Sequence, residues 1–126
     1  MSSANPGLAY EDTPPLSAPL RFFLTAPVFG LIAGLVLIFD GELLGSRWTP
    51  GALAVVHLIA AGFMLQVMLG ALLQILPVVA GAAFPAPLHV AGVTHVLLGL
   101  GAASLAFGLG DGAPLAIVSG GVLLAS

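Results

Sequence analysis

GALAVVHLIAAGFMLQVMLGALLQILPVVAG, Gly51 to Gly81, decides how this chain folds. The run holds no charged residue and is long enough to cross a bilayer, for which about 20 apolar residues suffice. Around it, no Asp, Glu, Lys or Arg occurs from Trp48 to Gly110. Only 6% of the 126 residues are charged and 60% are hydrophobic. A water-facing domain carries about 25% charged residues, so this composition cannot clothe a soluble surface. The reading is an all-α, integral membrane helical bundle whose first partner is the lipid bilayer.

Working outward, the spans fall at about 22–39, 51–79 and 88–109, with a partial fourth at 114–126. The first is bounded by Arg21 and Asp40, holds Pro27, and carries Gly30 and Gly34 as a small-xxx-small pair that permits close helix approach. Trp48 suits a membrane interface, and Pro50 suits the first turn of the helix that follows. The 51–79 span exceeds what the hydrocarbon needs and is expected to tilt or protrude. The turns are Ala82–Pro87 and Gly110–Pro114. The last stretch, LAIVSGGVLLAS, is too short to cross. It reads as the opening of a fourth helix, either of a longer protein or leaning on a partner.

Residues 1–20 read as a polar, proline-rich tail at the membrane surface, ahead of a transmembrane domain at 21–126. It lacks the basic start and apolar core of a signal peptide. Pro14, Pro15 and Pro19 argue against a helix there. Arg21 and Arg47 flank opposite ends of the first span, so basic residues do not set an orientation. Two basic residues cannot form a phosphate-binding face, which excludes nucleic acid as a partner. The chain has no cysteine, hence no thiolate site or disulfide.

An ionisable residue inside a membrane is a functional hypothesis by default. At about 100° per residue, His57, Met64 and Met68 fall on one stripe with small residues between them, and Gln66 lies opposite His57. Such a face could receive a flat macrocycle or a metal. It could equally be a histidine bonded to a neighbouring helix, with methionines filling gaps. His95 shares a face with Gly92, Gly99 and Ala102, a shallow groove that suits a bulky ligand or a closely packed helix. His89, beside two prolines at the membrane edge, reads as a solvated interfacial residue. In antiparallel spans His57 and His95 differ in height by about 15–20 Å, so one iron cannot take both.

The pattern H-x6-M-x3-M from His57, followed by LPVVAGAAFP, resembles helix II of the heme-copper oxidase subunit I superfamily. PPLSAPLRFFLTAPVFGLIAG resembles the first helix of short subunit-I-like proteins and is similar to the NnrS membrane proteins linked to nitric oxide metabolism. The resemblance implies a b-type heme with His57 alone as a carried-over axial ligand; Met64 and Met68 on the His57 stripe, and His95 in its groove as a lesser candidate, come from the helical wheel. It implies electron transfer, with a second axial ligand supplied by another copy or other membrane subunits. The binuclear-centre histidines of that superfamily have no counterparts here, so the chain is at most part of an oxidoreductase and not catalytic alone. The alternative expectation is a non-catalytic small subunit of a larger respiratory complex.

Overall fold

The computed structural model describes Gly7, residues 9–83 and residues 85–126. Every element among these residues is helical. Helix α1 spans Ser17–Phe39, α2 Pro50–Ala80, α3 Pro87–Asp111 and α4 Pro114–Ala125. At 1.5 Å per residue, α1 is about 34 Å long, α2 about 46 Å and α3 about 37 Å. Each exceeds the ~30 Å hydrocarbon thickness, and each is apolar enough to cross. The chain is an integral membrane helical bundle.

Local chemistry sets the helix ends. Thr49 caps α2, its hydroxyl accepting the Ala52 N–H at 3.2 Å, and Pro50 occupies the first turn. Gly81 and Gly112 stop α2 and α3 in left-handed conformation (φ 61° and 68°), which glycine adopts without a Cβ penalty. The α3–α4 turn is consequently shorter than the Gly110–Pro114 stretch expected, because α3 runs on through Asp111. At the other end of the bundle, the Ala9 N–H reaches the Val78 carbonyl at 3.1 Å, satisfying a last-turn acceptor of α2.

One expectation needs correction. Helix α1 begins at Ser17, inside the stretch assigned to the tail, and Pro19 sits within its first turn. Proline is tolerated there because first-turn N–H groups have no intrahelical acceptor.

Helix α2 is not uniform. Pro50–His57 and Leu65–Ala80 are α-helical, but Leu58–Met64 between them is π-helical. A π turn takes up roughly one more residue than an α turn. At its centre a Cβ on Gly62 would lie 2.4 Å from Phe29 of α1. The Phe29 ring thus seats directly on the α2 backbone. Two turns further on, a Cβ on Gly70 would lie 3.1 Å from Phe22 and Phe23, and one on Gly30 would lie 3.5 Å from the Phe63 ring. The anticipated Gly30/Gly34 face is only half used, since nothing approaches Gly34.

Helix α4 lies on α3 of its own chain. A Cβ on Gly108 would stand 2.6 Å from the Ile117 nitrogen, and one on Gly120 would stand 2.5 Å from the Leu105 nitrogen. Gly101 completes the seam against Leu123 and Leu124. Two helix backbones therefore touch, and no rotamer change can make room for a methyl group. Gly121, the next residue, has open space.

This pair gives a direct test. Gly120→Ala must push α4 off α3 and is expected to cost about 1–3 kcal/mol as overpacking. Gly121→Ala should be neutral or stabilising by up to about 1 kcal/mol through helix propensity. Thermal or denaturant unfolding in one detergent should separate the two variants in opposite directions.

Candidate functional site

The intramembrane histidines occupy different environments. His57 ends the α-helical start of α2, at the threshold of the π segment. Its Nδ1 lies 2.7 Å from the Leu53 carbonyl oxygen, one turn back. A carbonyl can only accept, so Nδ1 carries the proton and Nε2 of the neutral ring holds the lone pair. The backbone thus fixes both tautomer and ring direction, as metal-binding imidazoles are commonly fixed by a carbonyl behind them. The ring is half-buried.

Met64 and Met68 lie on the outer surface of the bundle, 53% and 56% exposed. They do not continue the line of His57 as a constant 100° wheel would have it. The π segment absorbs about one extra residue, and one residue corresponds to about 100° of rotation. The thioethers are therefore turned roughly a quarter turn away from the histidine. No sequence signal marks the π turn beyond Gly62 itself.

His95 is engaged. Its Nε2 lies 2.8 Å from Thr25 Oγ1 of α1, and Phe22 meets the ring edge-on at 5.2 Å between centroids. Thr25 Oγ1 also lies 2.8 Å from the Arg21 carbonyl oxygen, to which it donates its single hydrogen. The hydroxyl can then only accept from His95, whose Nε2 carries the proton. Side chains from α1 and α2 border the groove read in the sequence around His95: a Cβ on Gly92 would lie 3.1 Å from the Arg21 guanidinium, and one on Gly99 would lie 3.8 Å from Gln66 Nε2. His95 is thus a clasp between α1 and α3. His89 is exposed in the first turn of α3.

Cross-helix contacts give the heights. Gly110 faces Ala54, and Gly99 faces Gln66. His57 lies nine residues before Gln66, about 13 Å at 1.5 Å per residue, while His95 lies four residues, about 6 Å, past Gly99 on the other side. The imidazoles are about 20 Å apart along the bundle. No group of three or more His, Cys, Asp or Glu among the described residues could hold a metal ion. His57 and His95 cannot share one metal ion.

A constant-angle wheel puts Gln66 opposite His57 and says nothing of its partners. Gln66 is fully buried, and neither its Oε1 nor its Nε2 has a partner among the described residues. Transferring an amide out of water without a partner costs about 2–7 kcal/mol. It stands at the junction of α1, α2 and α3, one helical turn from the His95 level.

Two outcomes follow. Gln66→Leu removes a buried unpaired amide at similar volume and should stabilise the bundle by about 1–3 kcal/mol in detergent unfolding. Thr25→Val combined with His95→Phe should show a coupling of about 0.5–2 kcal/mol in a double-mutant cycle, as expected for an interhelical bond in a membrane. A scan against protein-family models, a search of curated proteins and a search of solved structures found nothing that matches this chain.

Proposed function

We propose that the chain is a heme b-binding unit of a membrane electron-transfer assembly, in a bacterial inner membrane, with His57 Nε2 as one axial ligand. The supporting observation is the Leu53–His57 bond at 2.7 Å. It leaves the distal nitrogen deprotonated and aimed by the helix, which is the donor chemistry a heme iron takes. Charge-free walls along α2 suit a porphyrin face. Bound heme would supply a one-electron couple. His57 would bind and orient it, and the surrounding Leu, Ile and Phe side chains would exclude water.

His95 is left out of this reading because its Nε2–H is donated to Thr25. His95 stands too far along the bundle to share an iron with His57, so any further ligand would have to come from another copy of the chain or another membrane subunit. A competing reading takes the Leu53 bond as all that His57 needs, which makes the chain a non-catalytic structural subunit of a respiratory complex.

Optical spectra separate the two. Purified from heme-replete cells, the protein should show a Soret band that His57→Ala abolishes and His95→Phe retains. A featureless spectrum, or a band indifferent to His57→Ala, overturns the heme reading and leaves the structural-subunit one.

A further inference from the structure

A cavity of about 450 Å³ opens where α1 ends, α2 begins and α3 ends. Its size is within the ~300–1,000 Å³ usual for small-molecule sites. Ile32, Leu58, Ala103 and Phe107 form apolar walls from all three helices. Asp40 and Asp111 line it as well, and both are exposed to the aqueous side.

The formal charges at its mouth have one sign. Asp40 caps the C-terminus of α1, and Asp111 is the last residue of α3. The negative ends of those two dipoles are met at the same end of the bundle by the positive starts of α2 at Pro50 and α4 at Pro114, so the two carboxylates set the local sign. The whole sequence has two basic residues, Arg21 and Arg47. Arg21 lies at the other end of the bundle beside Ser17, and the Arg47 guanidinium rests over the Trp48 ring at 5.2 Å. Neither lines the cavity.

We infer that this cavity binds an amphiphilic amine, an alkyl chain ending in a primary ammonium, with the chain between Ile32, Leu58, Ala103 and Phe107 and the ammonium between Asp40 and Asp111. An anionic head would meet two carboxylates. A neutral head would forgo charge-assisted hydrogen bonds, which are about twice as strong as neutral ones. An aminophospholipid would bring a phosphate into the same negative mouth. The site is independent of any iron at His57.

Isothermal titration calorimetry of octylammonium into the full chain in phosphatidylcholine nanodiscs, with empty nanodiscs subtracted, tests the assignment. Saturable binding is expected, weakening as ionic strength rises. Octanol and octyl sulfate should each bind about tenfold more weakly or worse, and the Asp40→Asn/Asp111→Asn variant should lose about tenfold for octylammonium. Ala103→Phe, which fills the cavity, should abolish binding. Circular dichroism checks that each variant folds, and the isosteric Asn variant keeps the test decisive where the Phe variant fails. The absence of saturable binding, equal affinity for the alcohol, or an Asn variant that binds as wild type would overturn the inference.

Discussion

Backbone contact at glycine holds this bundle together. In lipid the tails are as apolar as leucine, so burying apolar area gives little drive for one helix to seek another. What remains is close packing and the few polar bonds that cross between helices. Gly108 and Gly120 bring α4 onto α3 at main-chain distance, and Gly62 lets Phe29 of α1 reach the main chain of α2. Each contact depends on a missing Cβ, and a single methyl group would open the seam. The π turn of α2 lies under Phe29 and shares that location with Gly62, so the tightest α1–α2 contact coincides with the irregular stretch of the longest helix.

Because packing decides which faces meet, it also decides what each polar residue can do. The hydroxyl of Thr25 reaches His95 because α1 and α3 approach there, and one proton inventory over Arg21, Thr25 and His95 leaves that imidazole donating. His57 has its bond within its own helix, so its distal nitrogen owes nothing to the tertiary fold. The two histidines look alike in sequence, each a lone imidazole in a charge-free span. One is a structural clasp, and the other keeps a free lone pair. Gln66 is the counterexample to economy: it is sealed in the junction with neither amide atom paired.

One end of the bundle gathers a pair of carboxylates. The C-termini of α1 and α3 lie there, and the sequence puts Asp40 and Asp111 at those ends. The helix dipoles largely cancel, because α2 and α4 start at the same end, so the side-chain charges set the sign. Arg21 serves the opposite end, where its Nε–H donates to the Ser17 carbonyl oxygen and Gly92 leaves room for its guanidinium.

The sequence by itself determined the class, the number of crossing helices and nearly all of their limits. The cause is general: backbone in hydrocarbon must satisfy its own hydrogen bonds, so a charge-free run of this length has few options beyond a helix. It also determined that His57 and His95 stand at different depths, since rise per residue alone fixes that. Tertiary structure decided the rest. Pro19 joined a helix because first-turn N–H groups need no acceptor, Gly101, Gly108 and Gly120 became a seam because α4 folds back on α3, and a π turn rotated Met64 and Met68 away from His57. A helical wheel assumes one constant angle per residue, and only the packing of Phe29 against α2 revealed where that angle changes.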